Sequence, residues 1–396
     1  LVGAQARIVA WTMNGIEIQA PGGPAETATA RRLDLGASPP KSPDGEEVRA
    51  YELVGKGLRV EVLSWGLYVS KIVAPDAEGR WADVALGFDF PEDFAGYHLP
   101  GIFGGRTHWF GCVIGRYCGR IAEGRFALNG ESYQLAKNLN GQNHLHGGLL
   151  GWDQRNWEEE ALGLDPTTGD PFLRFRRVSE DGEEGYPAAL DCRVTYSIVG
   201  GDTLSILYDI KNLDAAKSTV VNVTNHSYFN LSGAFERPVY NHELWLAADE
   251  ICAVDAGGLP TDLQAVQGTP FDFTVPHRIG DRIDEPGNEQ LARGAGYDHS
   301  FVLAASALPA PEGPLAGLRL AARATDPGSR RRLEAFTTEP AVHFYTANHV
   351  PLSKGAVGKG GVPFGYRSGF CLEAQHLPDS PNRAEYPSTV LGPGAG

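Results

Sequence analysis

The stretch LDCRVTYSIVGGDTLSILYDIKN, residues 190–212, decides the fold class of this chain. Apolar side chains occupy every second position on each side of the Gly200-Gly201 pair, namely Cys192, Val194, Tyr196, Ile198, Leu204, Ile206, Tyr208 and Ile210. Successive side chains of a strand point to opposite faces of its sheet, so this alternation indicates two strands that are buried on one face. A glycine pair between two such runs predicts an antiparallel hairpin.

Short strand-like runs recur along the chain on both sides of that hairpin. They lie at residues 58–62, 67–73, 172–178, 218–223, 242–247, 318–322 and 333–337. Few stretches follow the helical period, and the 50 glycines and 27 prolines fit a chain with many turns and short elements. We therefore predict a mostly β protein, a large antiparallel β-sandwich with few short helices.

The first 45 residues differ from the rest of the chain. They show no sustained periodicity, and they contain clusters of proline and glycine at 21–24 and 39–45. Such a segment has little apolar surface to bury, so we predict a linker-like or disordered N-terminal segment over 1–45 and one domain over 46–396. The chain begins with Leu1, which we interpret as a fragment end or a processed terminus.

Composition excludes several classes of function. The 396 residues are 42% hydrophobic and 21% charged, which is ordinary globular usage. A net charge of −15 repels phosphates, so we expect neither nucleic acid nor an anionic membrane surface as a partner. The five cysteines form no CxxC pair, which predicts reduced thiols in a cytoplasmic protein rather than a zinc site or disulfide framework.

The sequence lacks the common signatures of nucleotide binding, serine hydrolysis and zinc proteolysis, which are GxGxxG, the P-loop, GxSxG and HExxH. Four polar residues instead stand within glycine-rich or apolar segments, namely His146, His226, Asp298 and Glu373. Taken singly, each favours a structural role: a hydrogen-bonded histidine, a turn-forming aspartate or a solvent-facing glutamate. Nothing in their spacing shows that the four converge.

Together, these residue types suggest acid–base chemistry on a sugar. Histidine and glutamate have ordinary pKa values of about 6.5 and about 4.3, so modest tuning lets such a pair exchange protons near neutral pH. The neighbouring Asn, Arg, Asp, Trp and Tyr residues are types that bind hydroxyl groups and stack on sugar rings. No Cys/His cluster accompanies the histidines in the sequence, so we expect no metal and no cofactor.

Seven motifs in a fixed order resemble the aldose 1-epimerase (galactose mutarotase) family. They are GRYCGRIAEGRFALNGESYQL at 115–135, NHLHGG at 143–148, DGEEGYPA at 181–188, VNVTNHSYFNLSG at 221–233, GYDHSFVL at 296–303, TTEPAVHFYTAN at 337–348 and GFCLEAQHLPDSPN at 369–382. The resemblance runs from about residue 50 to the C-terminus. It implies the galactose mutarotase-like supersandwich, with the sugar in an open cleft.

The resemblance also implies an activity and roles for residues. The activity is interconversion of the α and β anomers of free aldohexoses such as galactose and glucose, without cofactor or metal, by a monomer or homodimer. By motif, Glu373 is the base that takes the proton of the anomeric hydroxyl, and His226 is the acid that protonates the ring oxygen. Arg120, His146 and Asp298 match the family's sugar-binding residues, and His343 stands among them.

Three features depart from the family pattern. Gly119 stands where the family usually has Asn before the arginine, and His343 stands where the family commonly has Gln. The connection over 96–107 is longer than the family's. The histidine predicts altered sugar preference and pH dependence rather than a different reaction, and the longer connection predicts altered access to the cleft.

Two alternatives remain open at the level of sequence. A hexose-6-phosphate 1-epimerase needs a basic cluster at the rim of its cleft. Arg330-Arg331-Arg332 is the concentrated basic run, and it follows a turn sequence, so we expect a solvated turn there. A non-catalytic sugar-binding module on the same fold would be expected to lack the acid or the base, whereas His226 and Glu373 are both present.

Overall fold

The computed structural model describes residues 7–14, 27–37, 39–43, 45–89, 109–304, 315–350 and 357–395. The connection over 96–107 lies outside these residues. The described residues form 27 strands: β1 Arg7–Asn14, β2 Thr29–Arg32, β3 Ala50–Val54, β4 Arg59–Leu63, β5 Val69–Pro75, β6 Trp81–Asp83, β7 Val113–Ile114, β8 Arg120–Ile121, β9 Arg125–Leu128, β10 Glu131–Gln134, β11 His144–Leu145, β12 Glu158–Leu164, β13 Pro171–Ser179, β14 Leu190–Val199, β15 Thr203–Asn212, β16 Thr219–Val220, β17 Thr224–Asn225, β18 Glu243–Leu246, β19 Ala248–Val254, β20 Pro260–Ala265, β21 His277–Arg278, β22 Asp298–Leu303, β23 Arg319–Thr325, β24 Arg332–Thr337, β25 Ala341–Tyr345, β26 Cys371–Gln375 and β27 Val390–Leu391.

Helices are few and short in the described part of the chain. The single α-helix there, α1, spans Glu289–Gly294, with the Asn288 side chain accepting a hydrogen bond from the Leu291 backbone N–H at its start. Single 3₁₀ turns occur at Ala122–Gly124, Trp152–Gln154, Glu183–Gly185, Val239–Asn241, Ile279–Asp281, Lys359–Gly361 and Ser380–Asn382. None of the described helices has the length and apolar character that crossing a bilayer requires.

The strands pair antiparallel and form three larger sheets. One has nine strands in the order β12-β13-β14-β15-β1-β24-β23-β18-β21, and the others have five each, in the orders β2-β3-β4-β5-β6 and β20-β19-β22-β25-β26. The hairpin predicted from the quoted stretch is β14–β15, in which Ile198 pairs with Leu204 across the Gly200-Gly201 turn. The prediction of a mostly β, antiparallel protein with few helices is thus confirmed.

The number of sheets differs from that of a simple β-sandwich. A plain sandwich has two facing sheets, whereas the described residues form seven, because four two-stranded ribbons stand beside the three larger sheets. One continuous core nevertheless joins the larger sheets. The rings of Tyr51 on β3 and Phe175 on β13 meet edge-to-face with centroids 5.3 Å apart, and Phe344 on β25 belongs to the same core.

The N-terminal segment contains two strands that the sequence did not predict. Backbone pairing places β1 between β15 and β24 within the nine-stranded sheet, and β2 pairs with β3. The linker prediction is therefore wrong for residues 7–14 and 29–32. The reason is that neighbouring strands supply the hydrogen bonds, so a stretch without regular alternation still joins a sheet. The proposed boundary between residues 45 and 46 stays a prediction.

Candidate active site

One face of the sheet β20-β19-β22-β25-β26 forms a wall of a cavity of about 330 Å³, which is within the usual range for small-molecule sites. The strand register aligns the wall, since Ser300 on β22 pairs with His343 on β25, and His343 pairs with Glu373 on β26. Two residues along the same strands, Asp298 pairs with Tyr345. Alternate residues share a face of a sheet, so all five side chains turn toward the cavity.

The opposite wall comes from shorter elements. Arg120 lies on β8, which pairs with β11, and His146 follows β11 directly. His226 follows β17, and Trp109 precedes β7, the strand to which β17 pairs. The structure therefore brings all six predicted site residues around one cavity, namely Arg120, His146, His226, Asp298, His343 and Glu373. Their individual roles stay predictions.

Glu373 and His226 form a close, buried pair. The distance from Glu373 Oε1 to His226 Nε2 is 3.5 Å, and the side chains are only 3% and 5% exposed. The second carboxyl oxygen, Glu373 Oε2, has no hydrogen-bond partner among the described residues, although it is buried. An unpaired buried carboxylate oxygen is costly, so this atom is available to a ligand group that brings a proton.

The environment of Glu373 raises its pKa to about 7. Burial is the main cause, because it disfavours the charged carboxylate, and the negative charge of Asp298 adds to it. Electrostatic interactions with His343 and Arg120 oppose the shift without cancelling it. A carboxyl group with this pKa both accepts and returns a proton near neutral pH, which an ordinary glutamate does poorly.

The His226 ring packs nearly parallel to two aromatic rings. Tyr228 stacks on it with centroids 5.0 Å apart and planes 20° apart, and Trp109 lies at 6.0 Å with planes 21° apart. His226 Nδ1 lies 3.5 Å from Cys371 Sγ. These contacts fix the ring so that Nε2 faces Glu373.

Asp298 is held in its charged form by a hydrogen bond from His343 and by the positive charge of Arg120. Burial opposes ionisation, but the hydrogen bond from His343 Nε2, at 2.8 Å, and the charge of Arg120 hold the pKa of Asp298 well below its ordinary value. Because the carboxylate only accepts, His343 Nε2 carries the proton, and the Ser300 hydroxyl is placed to donate to Nδ1 at 2.9 Å. Asp298 is thus a fixed acceptor at the cavity wall.

His146 has a defined orientation as well. The backbone N–H of Gly119 donates to His146 Nδ1 at 3.2 Å, so the neutral ring carries its proton on Nε2. The ring meets Trp109 edge-to-face at 4.7 Å and His226 at 5.5 Å. The three rings together form one end of the cavity.

Sequence reasoning missed Gln375, which lies two residues beyond Glu373 on the same face of β26. Its Oε1 is buried without a hydrogen-bond partner among the described residues, as is Nε of Arg120. Both atoms belong to residues of the cavity wall, so they add an acceptor and a donor to the set available to a ligand. The signal was present in the alternation of GFCLEAQH, where Glu373 and Gln375 share a period of two.

Two glycines shape the space around Arg120. A Cβ on Gly258 would lie 2.7 Å from Arg120 Nε, so only glycine lets the guanidinium lie there undisturbed. Gly119 has a φ of +76°, and a Cβ there would meet Pro378 at 3.7 Å and Gln375 Nε2 at 3.9 Å. The missing side chain at 119 therefore leaves space beside Gln375.

The arrangement combines a buried acid–base pair with a fixed acceptor, unpaired polar atoms and aromatic rings in one small cavity. These are the groups that an enzyme needs in order to bind a polyhydroxylated substrate and to transfer protons to and from it. The sequence model of the family described as aldose 1-epimerase matches residues 49–395. The chain belongs to the aldose 1-epimerase family and is an isomerase.

Individual relatives agree with the family match. The chain is 39% identical to galactose mutarotase of Bos taurus over 348 residues, which are 88% of this chain and 91% of that protein. It is 33% identical to aldose 1-epimerase of Escherichia coli K12 over 355 residues, which are 89% of this chain and 93% of that protein. The crystal structure of galactose 1-epimerase from Lactobacillus acidophilus superposes with a TM-score of 0.71 at 25% identity, covering 92% of this chain and 96% of that one.

Proposed function

We propose that this enzyme interconverts the α and β anomers of free aldohexoses, galactose and glucose among them, with Glu373 as the base and His226 as the acid. The observation that carries the proposal is the unpaired Oε2 of Glu373, on a carboxyl group with a pKa of about 7, beside His226 Nε2. The names of the relatives support galactose as a substrate.

The geometry supports one sequence of bond changes. Glu373 takes the proton of the anomeric hydroxyl while the bond between C1 and the ring oxygen breaks. The electron pair of that bond stays on the ring oxygen, which receives a proton from His226. The resulting aldehyde rotates about C1–C2, and the same oxygen then attacks the other face of C1. On closure His226 recovers its proton, and Glu373 returns its own to the former aldehyde oxygen.

Reversibility explains the tuning of Glu373. The two anomers are close in free energy, so each group must give and take the proton with similar ease. A pKa of about 7 makes this possible for Glu373, whereas Asp298, with its lowered pKa, stays charged and accepts hydrogen bonds from sugar hydroxyls. The Arg120 guanidinium donates to an adjacent hydroxyl, so a vicinal diol fits the pair.

The arginines at the cavity already have partners, and this favours a free sugar over a phosphorylated one as the substrate. Arg293 lines the cavity but donates to the Val254 carbonyl and to Glu289, and Arg120 faces Asp298. Arg331, which we expected in a solvated turn, is buried and donates to backbone carbonyls outside this cavity. Within the described ranges, neither site offers a cluster of available cations that could hold phosphate.

Polarimetry of freshly dissolved α-galactose and α-glucose, with and without the protein, tests the activity. We expect accelerated approach to the equilibrium rotation with both sugars, and slower turnover of glucose 6-phosphate. Binding of galactose without acceleration would favour the sugar-binding module instead.

The wider setting of the enzyme is also part of the proposal. We propose that the larger sheets form the layers of a galactose mutarotase-like supersandwich, which the shared core and the TM-score of 0.71 support. All five cysteines are free and buried, which supports a reducing, cytoplasmic setting. We expect a monomer or homodimer with the aldohexose as its ligand.

Replacing His343 with glutamine is expected to change sugar selectivity more than turnover. A glutamine amide can still donate to Asp298 and accept from Ser300, but its shape moves both partners. We expect KM, or the ratio of kcat/KM for galactose and glucose, to change several-fold while kcat changes less. Steady-state polarimetry with both sugars measures this, and His343→Ala, which loses both hydrogen bonds, is the companion variant. A collapse of kcat with unchanged KM would place His343 in proton transfer.

Chelators are expected to leave the rate unchanged. The proposed proton transfers use only side-chain groups, so catalysis needs no resident metal ion. Mutarotation measured before and after exhaustive treatment with EDTA should agree, with buffer-treated enzyme as the control. Activity that is lost to EDTA and restored by a divalent cation would overturn the acid–base scheme.

A further inference from the structure

Strand β26 carries two side chains that contact His226, namely Cys371 and Glu373. Cys371 and Glu373 are two residues apart, so the pleat turns both toward the same side, and Cys371 is fully buried. The sequence separates His226 from them by more than a hundred residues and showed no Cys/His cluster, whereas the fold assembles one. Among the described residues, His226, Cys371 and Glu373 are the group of three whose potential ligand atoms all lie within 4.8 Å of one another.

We propose that His226, Cys371 and Glu373 form a binding site for a thiophilic divalent cation such as Zn²⁺, and that occupancy of this site inhibits the enzyme. The inhibition rests on the function proposed above, whereas the binding does not. A nitrogen, a sulfur and a carboxylate oxygen are the ligand types that zinc prefers, and three protein ligands leave a fourth position open.

The distances suit an ion after a small adjustment. Cys371 Sγ lies 3.5 Å from His226 Nδ1, and Glu373 Oε1 lies 3.5 Å from His226 Nε2. An imidazole binds an ion through one nitrogen, so either the ring or the carboxylate must shift by about 1 Å to give tetrahedral bond lengths. The unpaired Glu373 Oε2 gives the carboxylate a second oxygen for this purpose.

The charges balance when the ion binds. Cys371 is a free, buried cysteine, and the Glu373 carboxyl group belongs to the same cluster. Binding of Zn²⁺ forms the Zn–S bond and releases the thiol proton to the solvent. A thiolate and a carboxylate then neutralise the two positive charges, which a buried site requires.

The position of the site determines how the ion enters and how it affects the reaction. His226 and Glu373 line the sugar cavity, so an ion reaches them by the route that the sugar takes. A bound ion takes the His226 ring and the Glu373 carboxylate as ligands, so neither group is free to transfer a proton. We therefore expect Zn²⁺ to compete with the sugar and, at saturation, to lower the rate by at least about 10²-fold.

Co²⁺ titration of the EDTA-treated full chain tests the binding without any assay of activity. Tetrahedral Co²⁺ with a thiolate ligand gives an intense near-ultraviolet charge-transfer band and strong visible bands. We expect these bands with the wild type, displacement by Zn²⁺, and loss of the charge-transfer band in Cys371→Ser. Cys252→Ser is the matched control, because Cys252 is a buried thiol at the same cavity that contacts Tyr386 instead of His226.

The outcomes separate the two claims. No charge-transfer band, or the same band in wild type and Cys371→Ser, overturns the site. A Cys371-dependent site that Zn²⁺ fills without slowing mutarotation confirms the site but overturns the acid–base roles of His226 and Glu373. Zn²⁺ inhibition that persists in Cys371→Ser with undiminished affinity overturns the proposal, since the ion then binds elsewhere. Thermal melting of each variant shows that the compared proteins are folded.

Discussion

Replacing Glu373 with glutamine is expected to lower kcat by about 10²–10⁴-fold while the sugar still binds. Glutamine keeps the size of the side chain and can hydrogen-bond the anomeric hydroxyl, but it cannot accept the proton. The loss should therefore fall on kcat, with a smaller change in KM. Polarimetry at saturating galactose measures kcat, and calorimetry or fluorescence measures binding of the sugar.

Glu339→Gln is the matched control for that variant. Glu339 is buried to the same extent, but it pairs with His376 at 2.7 Å and does not line the cavity. We expect the control to lose thermal stability, because the buried contact with His376 is weakened, and to keep kcat within a few-fold. A Glu373→Gln protein with near wild-type kcat would refute the role of Glu373 as the base.

Replacing His226 with asparagine is expected to cause a comparable loss of kcat by removing the acid. Asparagine cannot protonate the ring oxygen, so ring opening would have to rely on water. Because acid and base act in one step, the Glu373→Gln, His226→Asn double variant should be little slower than the slower single variant. Losses that multiply instead would show that the two residues act independently.

His299→Asn is the matched control for the histidine. His299 adjoins Asp298 on β22 but is fully buried on the opposite face, where Nε2 contacts Gln290 Oε1 at 3.2 Å. Burial lowers the pKa of His299 to about 3, so it stays neutral and has no proton to supply at neutral pH. We expect this variant to lose stability and to retain kcat, which distinguishes a structural histidine from a catalytic one.

Local patterns in the sequence predict the local structure well. The β14–β15 hairpin follows from alternation and a glycine pair, since both act over neighbouring residues. The strand β1 was missed, because its two partners, β15 and β24, lie far away in the sequence. The division into seven sheets depends on such long-range pairing too, and no periodicity reports it.

At the site, too, the sequence predicts local features but not the contacts between distant segments. Motif resemblance located the six polar residues, but only the register of β22, β25 and β26 shows that Ser300, His343 and Glu373 form one row. Gln375 had a readable signal in the alternation of its strand. The contact between Cys371 and His226 had none, because it joins segments that lie far apart in the sequence.

The pH dependence of kcat/KM, compared between the wild type and Glu373→Gln, tests the central claim most directly. The base acts only when it is deprotonated, so a pKa of about 7 predicts that wild-type activity falls as the pH drops below about 7. In Glu373→Gln the residual activity should lose this acidic limb, because glutamine does not titrate. An acidic limb of unchanged position in the variant would contradict the account, since another group would then be the base.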